Sequence, residues 1–421
     1  MKMENNASGR YCWNEGWSFL KLPVDASREE AEALREAFAP VDIPHDWLIY
    51  DALNLYEDSS GWYRKSFIWE EAEEKKGFVI FEGIYMDSAV FINGVKAGEW
   101  KYGYSAFTLD ITEYLVRGEN EILVGVRFQS PNSRWYSGAG IYRNVWLQVT
   151  NRTWLPEHAV YIGTRELDGE RTEEERTDGK RTNGSFLLRL EGEIAGERRE
   201  EAVLRYRLYD EAGREVIWNP VDQSMDGSEG ESDSREEGRD REESRNREEY
   251  RAGNGEAAVR KIVRKFQADN VKLWDVEHPA LYRLRTELLL DGKILQWTEE
   301  TFGFRTIRFD AEEGFFLNGR HLKLNGVCEH HDLGALGAAF HKPAMRRKFR
   351  ILKEMGVNAV RCAHNMMAPG FMELADEMGL LVLSEAFDMW EKPKTAYDYE
   401  FDIAAIKADC IGIGQSMGLS L

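Results

Sequence analysis

Apolar residues recur in short runs along the first 155 positions, with turn residues between the runs. Phe78–Ile84 and Ser88–Ile92 are clear examples, and Asn93-Gly94 follows the second run directly. An Asn-Gly pair between apolar runs is a strong signal for a tight β-hairpin. The spacing predicts an antiparallel β-sandwich over residues 1–155, interrupted by one helix over Ser27–Phe38 that begins with a capping box.

A second β-rich region covers residues 156–309 and resembles a small sandwich of the immunoglobulin-like kind. Its apolar alternation is clearest at Ser185–Ile194 and Leu281–Leu290. Between Asp222 and Glu256 the pattern stops, and 13 acidic and 6 basic residues accompany only three apolar ones. So little apolar surface cannot offset the entropy lost on ordering, which predicts a disordered insertion at 222–256.

After residue 310 the pattern changes to alternating strands and helices. A Gly follows each of the two helical segments, as a helix C-cap requires. The order strand, helix, strand, helix, strand predicts parallel strands. The predicted segments are strand Phe315–Val327, helix Lys342–Met355, strand Val357–Cys362, helix Pro369–Met378 and strand Leu380–Leu383.

Polar residues follow these three strands where each strand ends. The groups are His330-His331-Asp332, Arg361-Cys362-Ala363-His364, and Glu385 with Asp388. Side chains that do chemistry collect at the carboxyl ends of parallel strands. One such His is commonly structural, but three such ends in succession favour a functional face. Arg and His donors beside a carboxylate suit the binding of hydroxyl groups or of a charge.

Charge and composition limit the classes of molecule that this protein is expected to bind. The 421 residues carry 55 Lys+Arg against 75 Asp+Glu, a net charge of -20, with 43% apolar residues. An acidic chain without a basic stripe is a poor partner for nucleic acid or an anionic membrane, so a neutral substrate fits better. No apolar run reaches the roughly 18 residues of a membrane span, and the first residues lack the apolar core of a secretory signal. We therefore expect a cytoplasmic protein, with a homo-oligomer possible.

Cysteine usage agrees with that location. Cys12, Cys328, Cys362 and Cys410 lie far apart and form no Cys-x-x-Cys pair. Neither a disulfide framework nor a zinc site is predicted, and we expect reduced thiols, no metal and no cofactor.

Six stretches carry a resemblance to a known family. They are Pro44–Trp47, Gly61–Lys65, Asn132–Val145, Asn325–Asp332, Met355–Asn365 and Leu380–Trp390. Together they resemble glycoside hydrolase family 2, the β-galactosidase and β-glucuronidase group, from about residue 11 to about 402. The resemblance implies a jelly-roll sugar-binding domain, an immunoglobulin-like sandwich and, over residues 310–421, the first part of a (β/α)8 TIM barrel.

The resemblance also implies a reaction and a set of site residues. The family hydrolyses terminal β-glycosides with retention, using one glutamate to protonate the leaving oxygen and one to attack the anomeric carbon. His330 and His364 are implied to hold the sugar, Arg361 to support the pocket floor, and Glu385 to hydrogen-bond pocket residues. Ser384 stands where the family often has Asp, and Met389 lacks a carboxylate, which argues against magnesium. Galactoside, glucuronide and mannoside remain open.

Both catalytic glutamates are expected to be missing from this chain. The family places its acid/base in an Asn-Glu pair after the fourth strand, but the two Asn-Glu pairs here, Asn14-Glu15 and Asn120-Glu121, lie in the first domain. A (β/α)8 barrel takes about 250 residues. The roughly 110 residues after position 310 suffice for about three of its strands. We therefore expect an incomplete barrel and a chain that is inactive by itself.

Three further interpretations fit the same sequence. Trp62, Tyr63, Trp135 and Tyr136 could stack on sugar rings, but packing inside a sandwich is at least as common, so we expect substrate contact for one of them or for none. The chain could instead be a non-catalytic carbohydrate-binding or assembly module. It could also be a gene fragment that aggregates through an unpaired strand edge.

Overall fold

The computed structural model describes residues 9–70, 74–133, 135–167, 183–221, 259–386, 388 and 394–397. The charged insertion predicted at 222–256 and the sequence beyond Asp402 lie outside these residues. Within the described ranges, no helix combines the length and the apolar character needed to cross a bilayer.

The first domain is a sandwich of two antiparallel sheets, as the alternating pattern predicts. Its strands are β1 (Gly9–Cys12), β2 (Trp17–Leu22), β3 (Ala39–Val41), β4 (Ser59–Trp69), β5 (Lys75–Phe81), β6 (Ser88–Ile92), β7 (Val95–Trp100), β8 (Phe107–Asp110), β9 (Gly118–Phe128) and β10 (Val145–Asn151). One sheet has the order β1-β10-β5-β8 and the other β3-β2-β4-β9-β6-β7. The core between them is rich in aromatic residues, with Trp17, Tyr63 and Phe81 almost fully buried.

Two local signals in this domain are confirmed. Asn93 and Gly94 have φ values of 50° and 79° and connect the antiparallel strands β6 and β7. Helix α1 (Arg28–Ala33) starts with the predicted capping box: Ser27 Oγ accepts from Glu30 N, and Glu30 Oε2 accepts from Ser27 N. The predicted extension to Phe38 is wrong, because the chain tightens into a 3-10 turn at Arg35–Ala37. Ala31 is the one buried residue of α1, so packing adds little to its length.

The second sandwich begins at Thr153. Its strands are β11 (Thr153–Trp154), β12 (Val160–Glu166), β13 (Asn183–Gly196), β14 (Val203–Tyr209), β15 (Asn219–Pro220), β16 (Val259–Lys272), β17 (Tyr282–Leu290) and β18 (Lys293–Phe302). One sheet has the order β11-β13-β16-β15, with β12 also paired to β13, and the other has the order β14-β17-β18. All pairs are antiparallel, and Phe186, Leu284 and Phe304 are buried between the sheets.

The third region contains the predicted parallel sheet. Its elements are β19 (Ile307–Asp310), β20 (Gly314–Leu317), β21 (Arg320–His321), β22 (Gly326–Glu329), helix α2 (Lys342–Glu354), β23 (Ala359–Cys362), helix α3 (Pro369–Met378) and β24 (Leu381–Leu383). Strands β22, β23 and β24 are parallel neighbours in that order. The helices pack together through Phe349 and Phe371, whose ring centroids lie 4.8 Å apart.

The single strand predicted over Phe315–Val327 is wrong. Asn318 and Gly319 have φ values of 54° and 79°, so the chain reverses between β20 and β21 before β22 begins. Antiparallel β19, β20 and β21 form a separate small sheet. The reason is turn chemistry: Asn-Gly readily adopts the left-handed conformation that a tight turn needs.

Candidate functional site

The three parallel strands bring their polar residues to one edge of the sheet. Cys328 on β22 is the cross-strand neighbour of Arg361 on β23, which in turn pairs with Leu383 on β24. Because these three residues are paired across the sheet, the residues that follow each strand lie next to one another. They are His330, His364 and Glu385.

Arg361, His364 and Glu385 form one hydrogen-bonded group, which we call the Arg-His-Glu cluster. Arg361 Nε donates to Glu385 Oε1 over 2.6 Å, and His364 Nδ1 lies 3.0 Å from Glu385 Oε2. The three side chains are 39%, 26% and 27% exposed in the order Arg, His, Glu. The cluster is therefore rigidly connected and still open to a ligand.

The geometry constrains the proton on His364. Its Nδ1 also lies 3.1 Å from Arg361 Nη2, but a guanidinium can only donate and an ionised carboxylate can only accept. If Nδ1 carries the proton it donates to Glu385, and Nε2 then has a lone pair for a ligand hydroxyl. Arg361 also donates to Cys328 Sγ over 3.4 Å, and the bonds to Cys328 and Glu385 raise the pKa of the guanidinium.

Trp135 of the first domain joins this edge. Its indole ring stacks on His330 with centroids 4.4 Å apart and an interplanar angle of 18°, and its Nε1 donates to Asp332 Oδ2 over 2.8 Å. His330 meets His364 edge to face at 5.7 Å. Burial and the neighbouring His364 lower the pKa of His330, which favours a neutral ring.

A second side chain of the first domain, Tyr102, contacts the segments that follow β23 and β24. Tyr102 donates its hydroxyl to Asn365 Oδ1 over 2.7 Å and lies 3.0 Å from the Ala386 carbonyl. Asn365 Oδ1 also accepts from the backbone N–H of Asp388. The segments that carry His364 and Glu385 are thus tied to each other and to the sandwich.

The buried side chain of Arg143 connects the first domain to the barrel region. Its side chain is buried; it donates to the carbonyls of Glu82 and Tyr104 in the sandwich, and to Met366 in the barrel region over 2.6 Å. His331 Nδ1 lies 3.3 Å from Arg143 Nη2. Burial, and then the charge of Arg143, lower the pKa of His331 well below its usual value, so the ring is neutral.

Asp46 makes a third connection. Its Oδ1 accepts from the N–H groups of Leu48 and Ala139, and its Oδ2 accepts from Ala338 N and the Tyr136 hydroxyl. This one buried carboxylate therefore fixes the segment around Tyr136 and Ala139 relative to the loop that follows β22. Burial raises the pKa of this carboxyl, while the four donors act in the opposite direction.

The structure brings together all four residues that the sequence put forward for sugar binding: His330, Arg361, His364 and Glu385. His331, which lies in the same motif, instead faces Arg143. Of the four candidate aromatics, Trp62 and Tyr63 are buried in the sandwich, Tyr136 is half-buried against Asp46, and Trp135 is exposed at the site. Sequence reasoning missed Tyr102, because its partners lie more than 260 positions away.

Among the described residues, no group of three or more His, Cys, Asp or Glu side chains is arranged to hold a metal ion. Cys12, Cys328 and Cys362 are free thiols, and burial raises the pKa of Cys362 to about 12. The absence of a metal and of a cofactor stays a prediction.

The fold and the site define a class of protein: a jelly-roll sandwich and an immunoglobulin-like sandwich in front of a parallel barrel region, with a polar cluster at the barrel strand ends. Three family models match the chain in that order. They are "Glycosyl hydrolases family 2, sugar binding domain" over residues 38–151, "Glycosyl hydrolases family 2" over 176–305, and "Glycosyl hydrolases family 2, TIM barrel domain" over 310–399. The chain belongs to glycosyl hydrolase family 2, which confirms both the resemblance and the predicted fold class.

Relatives of the chain carry galactosidase and glucuronidase names. Beta-galactosidase BoGH2A of Bacteroides ovatus is 38% identical over 378 residues, covering 85% of this chain and 39% of that protein. A putative beta-glucuronidase of Formosa agariphila is 32% identical over 400 residues, covering 92% and 34%. The chain thus spans less than half the length of these relatives.

Solved structures show the same fold. A beta-glycosidase from Bacteroides vulgatus is 29% identical with a TM-score of 0.73, covering 93% of this chain and 46% of that one. A glycosyl hydrolase family 2 member from Bacteroides cellulosilyticus is 28% identical, also with a TM-score of 0.73, covering 93% and 47%.

Proposed function

We propose that this chain forms the sugar-holding part of a β-galactosidase-type glycoside hydrolase that acts on terminal β-O-glycosidic bonds. The Arg-His-Glu cluster is the observation that carries the proposal. It offers charged donors, an imidazole and a carboxylate at the carboxyl ends of parallel strands, where a (β/α) barrel binds its substrate. Such a set can hold several hydroxyl groups of one sugar ring at once.

Within the cluster each residue has a distinct task. Glu385 accepts from Arg361, and His364 Nδ1 lies within hydrogen-bonding distance of its other oxygen, so Glu385 acts as an anchor and not as a free nucleophile. Arg361 and His364 are thereby held in fixed directions toward the opening. His330, held against Trp135, adds a neutral imidazole to the wall of the site.

Retaining hydrolysis needs two carboxyl groups about 5–5.5 Å apart across the scissile bond, one as acid/base and one as nucleophile. We expect neither family glutamate to have a counterpart in this sequence, and Glu385 is engaged with Arg361 and His364. We therefore expect the chain by itself to bind a β-glycoside without cleaving it. The engagement of Glu385 also favours a second candidate function, a carbohydrate-binding module with no part in turnover.

Hydrolysis and binding are measured separately on the 421-residue chain. A panel of nitrophenyl β-galactoside, β-glucuronide and β-mannoside is assayed for nitrophenol release, alongside the Glu385→Gln variant. Methyl β-galactoside and methyl β-glucuronide are each titrated by calorimetry against the chain, Arg361→Ala, and the exposed control Arg320→Ala. We expect no release above the buffer blank, binding by the chain and the control, and at least tenfold weaker binding by Arg361→Ala, because a lost charged hydrogen bond costs about 1.5–3 kcal/mol.

Release that disappears in Glu385→Gln would contradict the assignment of Glu385 as an anchor. Binding that survives Arg361→Ala would move the sugar site away from the cluster and favour the second candidate function. Tight binding of the glucuronide in place of the galactoside would change the substrate assignment while keeping the site.

A further inference from the structure

Trp135 is exposed for a residue of its size, but it is not loosely held. It is 52% exposed, while one ring face lies on His330 and its Nε1 donates to Asp332. With one face and the N–H group occupied, the exposed part is a fixed apolar surface beside the cluster. Exposed aromatic faces that are held in place are characteristic of binding surfaces.

Two further aromatic side chains of the first domain adjoin Trp135. Tyr136 follows Trp135 in the chain, and its ring meets Tyr56 edge to face with centroids 6.4 Å apart. Tyr56 is 56% exposed, whereas Tyr136 is half-buried and fixed by its bond to Asp46. We call Trp135, Tyr136 and Tyr56 the aromatic ledge. It belongs entirely to the first domain, while the cluster belongs to the barrel region.

Polar groups lie along the same ledge. Asp332 is positioned by the Trp135 indole, and the exposed Tyr56 carries a hydroxyl that can donate and accept. A purely apolar ligand would make no use of these polar groups. A pyranose ring matches them, because it has an apolar C–H face that packs on an aromatic ring and hydroxyl groups around its edge.

We propose that the aromatic ledge binds the second and third units of a β-linked oligosaccharide whose terminal unit occupies the Arg-His-Glu cluster. This inference rests on the proposed function and extends it from the terminal sugar to the chain that follows. Two sets of ring contacts carry the argument: His364 to His330 to Trp135, and Tyr136 to Tyr56, with Trp135 and Tyr136 adjacent in the chain. The sandwich domain would then select for chain length, while the barrel residues hold the end unit.

The test compares affinities for methyl β-galactoside, β-1,4-galactobiose and β-1,4-galactotriose by calorimetry. We expect affinity to rise about tenfold from the first to the longer ligands, since one stacking contact contributes on the order of 1.4 kcal/mol. Tyr56→Ala should remove the gain for the trisaccharide and leave methyl β-galactoside unaffected, because Tyr56 reaches the site through Tyr136. Trp135→Ala should remove the gain for both, and Trp135→Phe should restore most of it.

Trp297 supplies a matched control. It is 51% exposed on β18 in the second sandwich, so Trp297→Ala removes an equally exposed indole far from the ledge along the chain. This variant should keep the full dependence on chain length. Unfolding curves of all variants identify any that fail to fold. If the Trp135 variants fail, the test rests on Tyr56→Ala.

The outcomes separate the two proposals. If methyl β-galactoside binds but the longer ligands bind no better, or if Tyr56→Ala keeps the full gain in affinity for the trisaccharide, the ledge is overturned and the proposed function stands. If none of the three ligands binds the unaltered chain, the proposed function fails and the ledge fails with it.

Discussion

At the scale of single residues, the site depends on side chains that each satisfy several partners. Asp46 accepts four hydrogen bonds and Glu385 has a partner at each of its oxygens. The sequence put Glu385 forward because it follows a short apolar strand. It gave no indication of the partners of Asp46, because three of the four belong to segments about 90 and 290 positions away.

His45 shows what burial does to a titrating side chain. It is 6% exposed, with the Tyr63 hydroxyl 2.7 Å from Nδ1 and the Tyr50 hydroxyl 2.7 Å from Nε2. Burial lowers the pKa of His45 to about 4. Above pH 6.5 the ring is neutral in both the folded and the unfolded chain. Between pH 6.5 and 4 only the unfolded chain takes up the proton, so the free energy of unfolding falls as the pH is lowered.

We expect this loss to be on the order of 2–3 kcal/mol for the chain across that interval. The free energy of unfolding changes with pH, and His45→Gln should lack the part of this change that comes from the His45 ring, whatever the stability of the variant. Urea unfolding at pH 4, 5, 6 and 7 measures the slope. His278→Gln is the control, because the His278 side chain is 81% exposed. An unchanged slope in His45→Gln would show that other groups cause the acid sensitivity.

At the scale of elements, agreement between sequence and structure depends on how local the signal is. The helices predicted at Lys342–Met355 and Pro369–Met378 are found with at most one residue of difference. Their Pro near the start, Gly at the end and apolar periodicity all lie within the segment itself. The strand predicted over Phe315–Val327 failed because the apolar run concealed a turn at Asn318-Gly319.

Gly356 and Gly379 end the two helices but meet different surroundings. Both have positive φ, 87° and 69°. A Cβ at Gly356 would find no atom within 4 Å, whereas a Cβ at Gly379 would lie 2.4 Å from the Val276 carbonyl oxygen in the strand-to-loop segment before β17. We expect Gly356→Ala to cost about 1 kcal/mol of unfolding free energy and Gly379→Ala about 3 kcal/mol.

Chemical denaturation of the two variants measures that difference directly. Each serves as the control for the other, since the strained backbone angle is common to both. Equal costs would mean that the contact between Gly379 and Val276 does not constrain the packing of α3 against the second sandwich.

At the scale of the whole molecule, the site is shared between domains. Arg143 donates to carbonyls of the sandwich and of the barrel region from a position that is 2% exposed. Tyr102 and Trp135 add contacts nearer the surface. The sandwich therefore fixes where the ends of β22, β23 and β24 lie, which is the architecture that places the cluster.

Removing the Arg143 guanidinium should make the barrel region and the first sandwich unfold in separate transitions. Arg143→Met leaves several buried carbonyls without their donor, and we expect a loss of about 3 kcal/mol. Calorimetry should show the barrel region unfolding at a lower temperature than the first sandwich, with weaker sugar binding. Arg127→Met, at an exposed arginine of the same domain, should leave the thermogram unchanged. A single transition at the original temperature in Arg143→Met would contradict the role of Arg143 as the connection.

The sequence by itself determined the order of the domains, the two barrel helices with their ends, the parallel strands and the residues at the strand ends. These follow from periodicity, capping and turn chemistry, which act over a few residues. Only the tertiary structure decided that Trp135 lies on His330, that His331 faces inward, and that Arg143 and Asp46 connect the domains. Such contacts join residues about 190 to 290 positions apart, and no local pattern encodes which distant partner a buried polar group will find.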